Sequence, residues 1–159
     1  MRTLNIGAGK DPFGTDKLDI KQLQEGVKHF DINSGKPLPY KDNTFAEIRL
    51  YNMMELLVDP QLVLEECYRV LQGGGKLDIR TINIESKRFA IKPLKDRYST
   101  GLAEWEKDKR MGYFTEHTLK NRLLLAGFKT ESIQTYAQGR IFPFKDHLCA
   151  SAVKRARKS

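Results

Sequence analysis

The stretch that decides the fold is Leu4-Asn5-Ile6-Gly7-Ala8-Gly9. Leu4 and Ile6 alternate with polar neighbours, as in a short strand, and the strand runs straight into a glycine turn. Glycine takes positive φ and lets backbone approach a ligand closely. In an open α/β sheet, ligands bind beyond the carboxyl ends of strands. Gly-x-Gly alone is a weak signal, and Pro12 stands where a dinucleotide fingerprint would have its third glycine.

Working outward, Lys17–Ile20, Val27–Ile32, Glu47–Tyr51 and Lys76–Arg80 read as further strands. Asp59-Pro60 opens a helix: the aspartate can accept from a free N–H, and proline suits the first helical position. Val63, Cys67, Val70 and Leu71 share one face, and Gly73-Gly74-Gly75 is expected to end that helix with a left-handed cap. A second helix is expected from Thr115 to Ala126, with Leu119, Leu123 and Ala126 inward and Gly127 closing it. Lys129–Tyr136 and His147–Val153 then form a pair of strands, expected antiparallel because their connection is short.

Alternating strands and helices indicate an α/β sheet. The early crossovers are too short for full helices, since nine residues separate Gly7 from Lys17 and six separate Ile20 from Val27. Apolar and polar residues also alternate along the strands, whereas a parallel sheet covered on both faces reads as continuous apolar runs. Helices are therefore expected mainly on one face. The other is expected to be wet, or covered by residues 82–111 or by a second subunit.

The chain has 159 residues, which suits one domain, placed at 1–153 with a basic tail at 154–159. No apolar run approaches a membrane span, and no signal peptide is read at the N-terminus. Cys67 and Cys149 read as reduced thiols of a cytoplasmic protein, without metal-ligand spacing. The net charge of +8 favours an anionic partner, weakly. The run Lys154-Arg155-Ala156-Arg157-Lys158 could touch phosphates or be a frayed terminus.

Two acidic strand ends carry the chemistry. Asp19 can accept from both hydroxyls of a ribose. Asp31 can accept from an exocyclic amine while the Ile32 N–H donates to a ring nitrogen, which would read an adenine. Asp31 can equally start the turn Asp31-Ile32-Asn33-Ser34-Gly35.

With these residues in view, the sequence resembles the Rossmann-like, class I S-adenosylmethionine-dependent methyltransferases, in particular small ones with shortened first crossovers. The resemblance rests on LNIGAGK, KLDI, HFDI, PLPYKDNTFAEI, DPQLVLEECYRVLQGGGKLDI and FTEHTLKNRLLLAGF in that order, and covers residues 3–81 and 112–153. It implies a seven-stranded, mostly parallel sheet with an antiparallel last strand. It implies S-adenosylmethionine as cofactor, with Gly7, Ala8 and Gly9 against its methionine part. Asp19 and Ile20 would serve the ribose, Asp31 and Ile32 the adenine, and Tyr51, Asn52 and Met53 the sulfonium end. Two departures matter. Met54-Glu55-Leu56 replaces a Leu-Glu-His triplet, removing one candidate base. Tyr51-Asn52-Met53-Met54 is not the Asn-Pro-Pro-Tyr-type sequence of amino-methylating nucleic-acid enzymes.

The implied reaction is in-line methyl transfer, for which positioning matters most. No catalytic residue is assigned. His29 reads as structural, His117 as solvated, and His147 as the least implausible base. Residues 82–111 mix Lys87, Arg88, Lys92, Lys95, Arg97, Lys107, Lys109 and Arg110 with Phe89, Tyr98 and Trp105, as a lid, a stacking surface for bases or a homodimer contact would. The loop 138–145, with Arg140, Phe142 and Phe144, would join the substrate wall. The acceptor is unidentified, with an anionic small molecule, nucleic acid and a protein or lipid substrate all open. Two other readings stand beside the enzyme. One is a non-catalytic domain of this fold that binds an anionic partner such as RNA. The other is a nicotinamide-dependent oxidoreductase, disfavoured by the incomplete glycine fingerprint.

Overall fold

The computed structural model describes residues 1–86, 112–136 and 147–156. The basic, aromatic segment from Lys87 to Arg110, the loop 138–145, and Arg157 and Lys158 of the tail lie outside the described residues. The elements are β1 (Thr3–Ile6), β2 (Asp16–Asp19), β3 (Val27–His29), β4 (Phe45–Tyr51), α1 (Pro60–Val70), β5 (Leu71–Ile82), α2 (Glu116–Leu125), β6 (Phe128–Tyr136) and β7 (His147–Lys154). They build one seven-stranded sheet in the order β3-β2-β1-β4-β5-β7-β6. β1 to β5 run parallel, while β7 pairs antiparallel with both β5 and β6. The chain order reverses between β1 and β4, so the carboxyl ends of β1 and β4 flank the switch point.

The short crossovers behave as their lengths require. Among the described residues, no helix lies between β1 and β2 or between β2 and β3. Both α-helices pack on one face of the sheet. There Leu4, Ile6, Leu18, Ile48, Leu50, Leu77, Ile79, Leu148, Ala150 and Ala152 meet Val63, Leu64, Cys67 and Val70 of α1 and Leu119 and Leu123 of α2. Burial of Cys67 pushes its thiol pKa up, because a thiolate would lose its hydration there.

The opposite face carries Lys17, Glu47, Arg49, Tyr51, Lys76, Asp78, Arg80, Cys149 and Ser151 along the strands, half-buried or exposed. It is not uniformly wet. Asn5 is only 1% exposed, because the link from β1 to β2 folds back over it and its Nδ2 donates to the Phe13 carbonyl at 3.4 Å.

α1 starts as its sequence dictates, with Asp59 Oδ1 accepting from the N–H groups of Gln61 and Leu62 at 3.0 Å each. Such a cap contributes about 1 kcal/mol. Its end differs from the expectation of a glycine cap. The helix stops at Val70, and Leu71 turns extended (φ −73°, ψ 143°) to pair with Phe45. Two forces explain this. Leu71 is fully buried, and Lys154 Nζ donates to the Leu71 and Arg69 carbonyls at 2.7 and 3.3 Å. A cation there satisfies carbonyls that a glycine cap would otherwise serve. Lys154 is thus the last residue of β7, and Gly74 (φ +80°) lies further on, where the β5 register shifts. α2 is capped by Thr115 and Thr118, each side chain accepting from the other's backbone N–H.

Candidate functional site

The glycine turn spends its donors on its own chain. The Gly7 and Ala8 N–H groups donate to the Leu18 carbonyl at 2.8 and 3.2 Å, and the Gly9 N–H donates to Asp19 Oδ2 at 2.8 Å. A pyrophosphate cradle needs such N–H groups free. What this turn offers a ligand is bare backbone. Gly7 sits at φ +72°, and a Cβ there would overlap Met53 Sδ and Cγ. Gly9 sits at φ +51° with open space beside it. Gln24, which the sequence reading missed, braces the turn by donating to the Gly9 and Asp11 carbonyls at 3.1 and 2.9 Å.

Asp19 closes β2. Besides the Gly9 N–H it accepts from the Lys21 N–H at 2.7 Å, one donor on each oxygen. An ionised carboxylate has about four lone-pair sites, so two remain, enough for two ribose hydroxyls. Ile20 next to it is 57% exposed, an apolar surface of the kind a nucleoside covers. Asp31 does what its turn sequence allowed, its Oδ1 accepting from the Asn33 N–H at 2.9 Å. Ile32, half-buried, packs on the core beneath. Asn33 then ties this turn to the chain beyond β4, donating to the Leu56 carbonyl at 3.0 Å and accepting from the Val58 N–H at 2.9 Å.

Beyond β4 the predicted trio divides. Met53 lies directly on Gly7, and Asn52 takes the left-handed conformation at φ +53°. Tyr51 turns to the helix-free face, where its hydroxyl donates to Asp78 Oδ2 at 2.7 Å. Burial and that carboxylate hold the phenol well above its ordinary pKa, so Tyr51 stays protonated near neutral pH. Glu55, 4% exposed, accepts from the Thr81 hydroxyl at 2.8 Å and pins the turn after β4 to the end of β5. Local sequence gives no sign of that partner, which belongs to another strand.

Of the histidines, His29 and His117 are exposed, and His117 contacts Asn121 at 3.0 Å. His147 opens β7, half-buried, its ring 5.4 Å from that of Tyr136. Among the described residues, no three His, Cys, Asp or Glu side chains gather as a metal site, and no helix is long and apolar enough to cross a membrane.

The sheet order, the two parallel halves meeting at a glycine turn, and acidic ends on β2 and after β3 together specify one known architecture. This is the class I methyltransferase fold. A family model described as a methyltransferase domain matches residues 14–79. Among solved structures, a Thermotoga maritima S-adenosylmethionine-dependent methyltransferase, described as a possible histamine N-methyltransferase, superposes with TM-score 0.74 at 21% identity, covering 97% of this chain and 82% of that one. A Methanosarcina mazei S-adenosylmethionine-dependent methyltransferase superposes with TM-score 0.71 at 16% identity, covering 98% of this chain and 92% of that one. In sequence, an uncharacterised protein of Methanocaldococcus jannaschii is 31% identical over 111 residues, covering 61% of this chain and 54% of that protein. The chain thus spans about half the length of that curated relative. Domain and fold together imply S-adenosylmethionine as the cofactor. The site fits it: the turn has no free donors for phosphate, while Asp19 keeps acceptor capacity beside exposed Ile20.

Proposed function

We propose that this chain is a methyltransferase that binds S-adenosylmethionine beyond the carboxyl ends of β1, β2 and β3 and passes its methyl group to an anionic acceptor. In this reading Gly7, Ala8 and Gly9 face the methionine portion. Asp19 and Ile20 hold the ribose, Asp31 and Ile32 border the adenine, and Asn52 and Met53 flank the methyl-bearing end. Tyr51 stands at the same level on the helix-free face. The observation that carries the reading is the Asp19 carboxylate, braced by two backbone N–H groups and still able to accept two more hydrogen bonds.

S-adenosylmethionine supplies a methyl already activated on a sulfonium. The chain's task is then to orient the two reactants, and orientation can lower a barrier by about 7–11 kcal/mol. Gly9 leaves open space for the cofactor because it has no side chain, and Gly7 lets Met53 lie against the turn. Gln24 and Asp19 keep the turn from moving. The Glu55–Thr81 pair fixes the segment between cofactor and acceptor.

Calorimetric titration with S-adenosylmethionine and S-adenosylhomocysteine tests this, with Asp19→Ala beside the parent protein. The parent should bind both, and the variant should lose about 1–3 kcal/mol of affinity. A folded parent that binds neither would remove the methyltransferase reading. Binding without turnover across an acceptor screen would favour a non-catalytic domain.

A further inference from the structure

On the helix-free face, aromatic rings and guanidinium groups alternate across the sheet. The Arg49 guanidinium lies 3.5 Å from the Phe13 ring centroid and 5.3 Å from that of Tyr51. Arg80 lies 4.1 Å from the Tyr51 ring and 5.9 Å from that of Tyr136. The two arginines differ in burial and in charge pairing. Arg49 is half-buried, its Nε 3.5 Å from Glu47 Oε1 as an ion pair without a hydrogen bond. Arg80 is exposed, and among the described residues its guanidinium makes no hydrogen bond and no ion pair. The carboxylate two positions earlier, Asp78, is engaged by Tyr51 instead. Arg80 is thus a planar fork of donors over an aromatic ring, attracted by the nearby Asp78 charge but hydrogen-bonded to none of the described residues.

Its place in the register gives it a use. Ile6 pairs with Leu50 and Leu50 with Ile79, so one residue further on Gly7, Tyr51 and Arg80 stand at the same level of the sheet. β5 lies two strands from β1, or about 10 Å. We infer that Arg80 is the anion subsite for the methyl acceptor: it grips a carboxylate or phosphate through paired N–H···O bonds and so selects small anionic acceptors. The inference rests on the methyl-transfer reading for its purpose, though not for its geometry. Guanidinium suits this role because a fork-to-oxyanion pair fixes orientation as well as charge, and orientation is what in-line transfer demands.

The test follows the arginine Nε–Hε resonances of the ¹⁵N-labelled full chain, saturated with S-adenosylhomocysteine, during titration with inorganic phosphate and, separately, with acetate. The Arg80 signal should move and saturate with at least one anion while that of Arg49 stays. Which anion does so separates phosphate from carboxylate acceptors. Arg80→Gln should abolish saturable binding, Arg80→Lys should weaken it several-fold, and neither should alter S-adenosylhomocysteine affinity. Equal, non-saturating drift of both arginines, or unchanged anion binding in Arg80→Gln, would overturn the assignment. Saturation by a single-stranded oligonucleotide at far lower concentration than by phosphate would overturn it in favour of nucleic acid. If S-adenosylhomocysteine does not bind, the methyltransferase reading fails, and the anion titration of the free protein still decides Arg80.

Discussion

Arg69, at the end of α1 just before β5, and Arg80, near the carboxyl end of β5, have opposite fates. Arg69, in the last turn of α1, is saturated. Its Nε and Nη2 donate to the two Glu66 carboxylate oxygens at 2.8 Å each, and Nη1 donates to Asp42 Oδ1 at 2.7 Å. It also reaches the Leu38 and Tyr40 carbonyls at 3.1 and 2.9 Å. Glu66 Oε2 in turn accepts from the Leu38 N–H at 2.7 Å. The Pro37-Leu38-Pro39-Tyr40 segment, which cannot pair its own backbone as a strand or helix, is held to α1 by this clamp. Arg80, near the carboxyl end of β5, makes no side-chain hydrogen bond or ion pair with the described residues. A guanidinium with its donors spent is scaffold, whereas one with its donors free beside a binding level is available to a ligand.

The contrast breaks most visibly at Arg69. Arg69→Ala leaves a half-buried Glu66 carboxylate and two carbonyls short of donors, and should cost about 2–3 kcal/mol. Thermal unfolding should show a Tm lower by about 4–12 °C for a chain of this size. Arg80→Gln should stay within about 0.5 kcal/mol of the parent, as exposed substitutions do. Similar losses for both would mean that stacking on Tyr51 makes Arg80 structural, and the comparison would fail.

This clamp also marks the limit of what the sequence made legible. Strands, helices and the glycine turn could be read because each is written locally: alternation in Leu4-Asn5-Ile6, Asp59-Pro60 before α1, Gly127 after α2. The anchor of the Pro-Leu-Pro-Tyr segment could not, because its partner lies 29 to 31 positions away. For the same reason the local sequence does not show where α1 ends. The cation that caps it, Lys154, arrives from the far end of the chain. In the candidate site, Gly7, Gly9, Asp19 and Asp31 were visible as strand-end residues. Gln24, Asn33 and Thr81 were not, since their roles depend on which strands become neighbours.

Gly7→Ala probes the cofactor side of the rim. At φ +72° an alanine is strained, and its Cβ meets Met53, so a loss of about 1–3 kcal/mol in stability is expected. Met53→Ala should recover part of it if the overlap contributes, and none if backbone strain is the whole cause. Thermal unfolding of the double variant separates the two.

Tyr51→Phe sharpens the Arg80 side with a smaller effect. It keeps the ring under the guanidinium and removes only the hydroxyl that donates to Asp78. About 1 kcal/mol of stability should go. The freed Asp78 oxygen then becomes a competing partner for Arg80, so phosphate or acetate binding should weaken several-fold. Unchanged anion binding would mean that Asp78 is too far from Arg80 to compete, and that stacking alone keeps the fork free.

Acid should expose the smallest difference. Asp16 lies below its ordinary value of 3.8 because Arg2 donates to both of its oxygens, and Glu66 below 4.5 because Arg69 does the same. A depressed carboxylate stabilises the fold above its unfolded pKa, and that stability is lost as pH falls through the lower folded value. The parent Tm should therefore hold from pH 6 to about 5 and decline below about pH 4 as both pairs are protonated. In Arg69→Ala the Glu66 share is already gone, so the decline should be shallower; Arg80→Gln, which removes no ion pair, should follow the parent. A shallower acid decline in Arg80→Gln than in the parent would reveal an ionised partner for Arg80 and would return that residue to the scaffold.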